Sequence, residues 1–160
     1  MIRVHSRSLI VGPESIDALK HVNNREYLRW MEEAAVEHSA LRGWPTERYL
    51  ELGRSWMAMS HFLEYLRPAV EGDAVTVFTW ISDLDAQTSR RRYEVMRDRD
   101  HKALARGETR WAFVDLSTGR SCEISALVRS AFVAVPDDDP DLHALGLARR
   151  RRVSGRRMLG

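Results

Sequence analysis

The chain has 160 residues, 44% hydrophobic and 30% charged, a length and balance that suit one globular domain and fall short of two. No apolar run approaches the roughly 20 residues of a membrane span, and the N-terminus alternates polar and apolar residues without the apolar core of a secretion signal. Cys122 is the only cysteine, which excludes an intramolecular disulfide; a soluble, cytoplasmic protein with no membrane contact is expected. The net charge of +2 is uneven. Residues 137–160 hold six arginines (149, 150, 151, 152, 156 and 157) and four aspartates (137, 138, 139 and 141), leaving 19 basic and 19 acidic residues in a neutral body. That division suggests a domain over 1–136 and a basic C-terminal tail over 137–160. No aromatic residues are interleaved with the arginines, so a solvated tail is expected and no nucleic-acid partner.

Residues 2–11 alternate as a first strand, and Gly12-Pro13 ends it. A loop carrying Asp17 follows. Asn23 is suited to cap a helix, and Glu26 three positions on completes a capping-box pattern. Tyr27, Leu28, Met31, Ala34, Ala35, His38 and Leu41 then recur at helical spacing, with Arg29, Glu32, Glu33 and Glu37 toward the other side and Gly43 and Pro45 as the stop. Beyond it the period changes to two. Residues 55–67, 73–83, 88–99 and 103–115 are rich in β-branched and aromatic residues and are separated by turn segments. One long helix and five strands with short connections predict an α+β fold, an antiparallel sheet curled around the helix and covered on one face only. Such a sheet keeps an edge and an outer face for self-association, so a homo-oligomer is expected. Residues 123–132 fit either a last strand or a short helix, and Asp139-Pro140 offers the start of a tail helix.

No nucleophile elbow, phosphate loop, dinucleotide fingerprint or zinc-ligand spacing occurs, so no metal or cofactor is expected. His5, His61, His101 and His143 are scattered and read as surface or packing residues. The stretch Asp17 to Asn24 differs, because it sets a carboxylate, an imidazole and two amides just before a helix whose first-turn N–H groups lack intrahelical partners. Two readings stand for it. Asp17 and Asn23 cap turns; or the N–H groups near Asn24 stabilise a developing oxyanion while Asp17 activates water or attacks an acyl carbon, with His21, Asn23 and Asn24 positioning the substrate.

The pattern Asp17-x-x-x-His21-Val22-Asn23-Asn24-x-x-Tyr27-Leu28, with Trp30 and Glu32-Glu33 in the following helix, resembles the signature of hot dog-fold acyl-CoA thioesterases of the 4-hydroxybenzoyl-CoA thioesterase type, and of the related plant-type acyl-carrier-protein thioesterases. Phe62 to Asp73 and Thr88-Ser89 continue the likeness, which spans about residues 3–133. The resemblance implies the hot dog fold, one long central helix wrapped by a curved antiparallel sheet. It makes Asp17 the catalytic carboxylate, places the oxyanion donor at or next to Asn24, and sets an acyl pocket between the helix of one subunit and the sheet of its partner in a homodimer or homotetramer. The candidate pocket residues are Tyr27, Met31, Trp56, Met57 and Met59; Trp and Met residues of this kind also serve as core.

Thr88, Ser89 and Arg90 are the candidates for binding the coenzyme A phosphates, with Lys20 and Arg25 as weaker ones. Strand alternation turns Arg91 to the opposite face from Arg90 and Arg92. Three positions depart from the family pattern. Lys20 replaces a common glycine, Leu19 an asparagine of the plant-type enzymes, and Asn24 a histidine of some bacterial members. The expected function is hydrolysis of an acyl-CoA, or acyl-carrier-protein, thioester to a carboxylic acid and a free thiol. The alternatives are a hot dog module that binds an acyl group or a partner without turnover, and a dehydratase or hydratase on the same fold.

Overall fold

The computed structural model describes residues 2–147; the arginine run lies outside them. Five strands, β1 (Val4–Ile10), β2 (Arg54–Tyr65), β3 (Ala74–Leu84), β4 (Thr88–Arg97) and β5 (Lys102–Asp115), form one antiparallel sheet in the order β1-β3-β4-β5-β2. Four helices accompany it: α1 (Asn24–Leu41), α2 (Thr46–Leu52), α3 (Ala126–Ser130) and α4 (Pro140–Ala144). The period-two segments are the strands, and residues 123–132 yield the short helix α3, capped where Ser125 accepts from the Val128 N–H at 3.4 Å. α2 differs from the expectation. Pro45 reads as a stop, but with extended backbone it sits just ahead of α2, where its missing N–H costs nothing.

α1 lays one face on the sheet. Tyr27, Trp30, Met31, Ala34 and Ala35 pack with Val75, Val77, Tyr93, Val95, Leu104 and Ala105 in the main core. The expected stripe is corrected at two points: Leu28 is only half-buried and Leu41 is 55% exposed, while Trp30 at 2% joins the buried face. Leu41 ends the helix, where the chain turns away from the sheet. Close approach of α1 needs Gly107, since a Cβ there would stand 2.6 Å from the Met31 sulfur. Burying a side chain of Met31's size stabilises the fold by about 2 kcal/mol.

The opposite face of the sheet is not bare, which corrects the expectation of one covered face. Trp80 and Met96 point away from α1 and pack with Val135, Leu142 and Leu147. Residues 135–147 therefore lie on the sheet, pinned by ion pairs from Arg3 to Asp139 and to Asp141, and by Asp139 capping α4 through the Asp141 N–H at 2.9 Å. Strand parity decides the two faces. The sheet's far edge is β2, whose residues 57–62 are all exposed, with Met59 bulged out of register between Ala58 and Ser60. No helix among the described residues is long and apolar enough to cross a membrane.

Candidate active site

Asp17 to Lys20 form a tight turn closed by the Ile16–Val22 bridge. The Asp17 N–H donates to the His21 carbonyl at 2.8 Å and the Lys20 N–H to the Asp17 carbonyl at 3.1 Å. On the side chain, Oδ1 of Asp17 accepts from the Leu19 N–H at 2.8 Å and from the His21 N–H at 3.4 Å. Both bonds use one oxygen, so Oδ2 is not committed to the turn. The turn requires a left-handed residue, and Lys20 supplies it at φ 64°. For a lysine that conformation costs about 1 kcal/mol that glycine would not incur.

The helix start is anchored from outside. The Val22 N–H donates to the Ala69 carbonyl at 2.9 Å and the Asn23 N–H to the Ser15 carbonyl at 2.8 Å. Asn23 caps α1 as expected, its side chain accepting from the Arg25 N–H at 3.1 Å while its carbonyl takes the Glu26 N–H at 2.9 Å. The capping box is not completed. Ser15 already holds the Asn23 N–H, and the Glu26 carboxylate turns to Arg29 at 2.5 Å. Among the described residues the Asn24 N–H makes no hydrogen bond. It is a free first-turn donor at the positive end of an 18-residue helix. His21 and Asn24 are exposed, and Asp17 and Asn23 half-buried. Tyr65, at the end of β2, closes the group by donating its hydroxyl to the Asn24 carbonyl at 3.3 Å.

A cavity of about 220 Å³ lies at the other end of α1. Its walls come from α1 (Ala35, Ser39), the turn into α2 (Trp44, Tyr49), the start of β2 (Ser55, Trp56), β4 (Ser89, Arg91) and Phe132. The Trp56 indole N–H donates to the Tyr49 hydroxyl at 3.2 Å, and Ser39 bridges that hydroxyl at 2.9 Å to the Trp44 carbonyl at 2.7 Å, so the aromatic wall is locked in place. Burial pushes the Tyr49 phenol up, keeping it neutral. Arg91 is 6% exposed and donates from Nη1 to Nδ1 of His38 at 3.0 Å and to Oγ1 of Thr79 at 3.1 Å. A guanidinium cannot accept, so the His38 proton sits on Nε2 and is given to the Ile2 carbonyl at 3.1 Å. Burial first, and the Arg91 charge second, push His38 down to about 4.

The expected pocket residues separate. Trp56 lines the cavity, Tyr27 and Met31 are packed in the main core, and Met57 and Met59 lie exposed on β2 at 54% and 67%. Of the expected phosphate-binding group, Ser89 is buried in the cavity wall, Thr88 is half-buried at the start of β4, and Arg90 faces the other side of the sheet beside Glu108 at 3.4 Å. Arg91, Ser39 and Tyr49 join the site without belonging to any motif in the sequence. The signal for Arg91 is the strand alternation itself, which puts it on the face of Ser89, Tyr93 and Val95. Among the described residues no group of three or more His, Cys, Asp or Glu side chains could hold a metal.

A sequence profile of the thioesterase-like superfamily matches residues 11–132. The chain belongs to that superfamily. No curated protein matches the sequence closely enough to count as a relative. Among solved structures, a 1,4-dihydroxy-2-naphthoyl-CoA thioesterase from Synechocystis superposes with a TM-score of 0.75 at 17% identity, covering 80% of this chain and 94% of that one. A Staphylococcus aureus protein solved in complex with CoA gives 0.76 at 18% identity, covering 82% and 83%. A gentisyl-coenzyme A thioesterase gives 0.71 at 20%, covering 80% and 99%. These likenesses establish the fold as that of the hot dog thioesterases. The departure at Lys20 has a physical account: it fills the left-handed position of the Asp17 turn, where a side chain costs strain.

Proposed function

We propose that the protein is an acyl-CoA thioester hydrolase, active as a dimer, in which Asp17 of one copy serves the cavity of the other. The observation that carries this reading is the pairing of the uncommitted Asp17 Oδ2 with the free Asn24 N–H across one short turn. The N–H receives the thioester oxygen as negative charge develops there, and Oδ2 either takes a proton from the attacking water or attacks the acyl carbon itself, expelling the coenzyme A thiolate and leaving a mixed anhydride that water then hydrolyses. Either route releases a carboxylic acid and free coenzyme A.

Within one protomer the parts do not meet. α1 advances about 1.5 Å per residue, which puts Val36 at the cavity roughly 18 Å along the helix from Asn24. β2 bridges that gap between copies. It is an unpaired edge of 12 residues carrying the exposed Met57, Met59 and Phe62, an arrangement suited to adding another strand. Antiparallel pairing of β2 with β2 of a second copy about the strand's midpoint sets the Ser55-Trp56 end of one beside the Tyr65 end of the other. Tyr65 is bonded to Asn24, so the partner's helix start arrives at the cavity mouth. The sheet of the dimer is then continuous, and α1 is the central helix of each half in the hot dog arrangement. Thr88 and Ser89 are the further candidates for substrate contact at the start of β4, with the coenzyme A or carrier arm as the shared thiol portion, whereas Arg90 faces away from the cavity beside Glu108.

Thiol release from short, long and aromatic acyl-CoA thioesters tests this reading. Turnover of at least one class is expected, and Asp17→Asn lowers kcat by at least ~10². Binding without turnover across the panel points instead to a non-catalytic acyl-binding module.

A further inference from the structure

Arg91 takes no part in the hydrolysis just described, although a buried charge needs an explanation. Its two partners, His38 and Thr79, are neutral acceptors, and no carboxylate among the described residues stands within ion-pair distance of the guanidinium. Carboxylates on the same strands are engaged on the opposite face, Glu94 with Arg106 at 3.0 Å and Glu108 beside Arg90 and Arg92 at 3.4 Å. Both hydrogen bonds of Arg91 run from Nη1, so the donors on Nε and Nη2 are not committed to either partner. The side chain borders the cavity beside Ser89, between aromatic walls of Trp44, Trp56, Trp111 and Phe132.

We propose that Arg91 is a specificity-determining residue that binds a carboxylate at the far end of a ring-sized acyl group held in this cavity. The inference rests on the thioester-hydrolase reading for the other end of the same acyl group. Size sets the ring. A cavity of about 150 Å³ accommodates benzene, and the 220 Å³ here adds room for one small substituent. Charge sets the substituent. A guanidinium fork matches a carboxylate with two parallel hydrogen bonds, and water is displaced from a site where an unpaired cation is costly. Thr79 and His38 hold the fork from behind, in the manner of a prepared receptor.

The test compares 4-carboxybenzoyl-CoA with 4-methylbenzoyl-CoA, which share ring and shape and differ in charge. The wild-type protein prefers the carboxylated substrate in kcat/KM by about 10- to 100-fold, the worth of a charged hydrogen bond. Arg91→Met, which keeps an unbranched apolar stem and removes the charge, abolishes or inverts that ratio, and Arg91→Lys restores part of it. A wild-type ratio near one, or a preference for the methyl compound, overturns the proposal while leaving the hydrolase reading intact. If neither thioester is cleaved, the full acyl-CoA panel decides the hydrolase reading, and calorimetry with free benzene-1,4-dicarboxylate and 4-methylbenzoate decides Arg91. Tighter dicarboxylate binding to wild type supports it; equal binding, or none, overturns it. Should Arg91→Met fail to fold, Arg91→Lys carries the test: a carboxylate preference reduced from the wild-type ratio supports the proposal, and an unchanged one overturns it.

Discussion

Acidification should cost this fold stability through one imidazole. His38 is 3% exposed, accepts from Arg91 through Nδ1 and is held at about 4, against an ordinary 6.5. Protonating it places a second N–H against the guanidinium, beside the stacked His5 ring at 5.7 Å. Between the two values the unfolded chain binds a proton that the folded chain refuses. Stability is therefore full above pH 6.5 and is lost as pH falls toward 4. At about 1.4 kcal/mol per pH unit the loss over that window is about 3 kcal/mol, a large part of a typical domain's total. Urea unfolding followed at pH 7, 5.5 and 4.5 in wild type and in His38→Gln isolates the effect, because the carboxylates titrate alike in both. The wild type should lose stability relative to the variant along this window. A difference between the two proteins that stays flat from pH 7 to 4.5 refutes the reasoning.

Two further outcomes follow from the turn and the edge. Lys20→Gly relieves the left-handed backbone and should raise stability by about 1 kcal/mol, or Tm by about 2–4 °C, whereas Lys20→Ala gains nothing; a lower Tm for the glycine variant would mean that the lysine side chain holds the turn. Placing glutamates at both Met59 and Phe62 should raise the dimer Kd by at least about a hundredfold in sedimentation and cut thiol release with it, since the proposed dimer is joined through the exposed apolar edge of β2. A dimer indifferent to both charges would exclude the β2 pairing.

Much of this molecule is legible in its sequence where local chemistry decides the outcome. Asn23 announces the start of α1, and period-two runs mark all five strands, because backbone satisfaction and burial act within a few residues there. Legibility fails where a distant group competes. Glu26 is placed for a capping box, but Ser15 reaches the Asn23 N–H first. Trp30 is missing from the expected stripe although it stands three residues after Tyr27 and four before Ala34, and the sheet buries it. The tail segment reads as a solvated appendage, yet Leu142 and Leu147 have Trp80 and Met96 to cover. Lys20 is the reverse case: it looks like an obstruction in the motif, and the backbone angle makes it a strained stand-in for glycine. Arg91 is visible as the odd member of its triplet, though only the cavity beyond it gives that parity a meaning.

Asp17→Asn, assayed by thiol release on the best acyl-CoA of the panel, tests the central claim most directly. Asparagine keeps an oxygen to accept from the Leu19 and His21 N–H groups, so the turn persists and only the carboxylate chemistry is removed. Unchanged melting and unchanged dimerisation with kcat lowered by at least ~10² is the predicted result. A folded, dimeric variant that hydrolyses the thioester at the wild-type rate would contradict it.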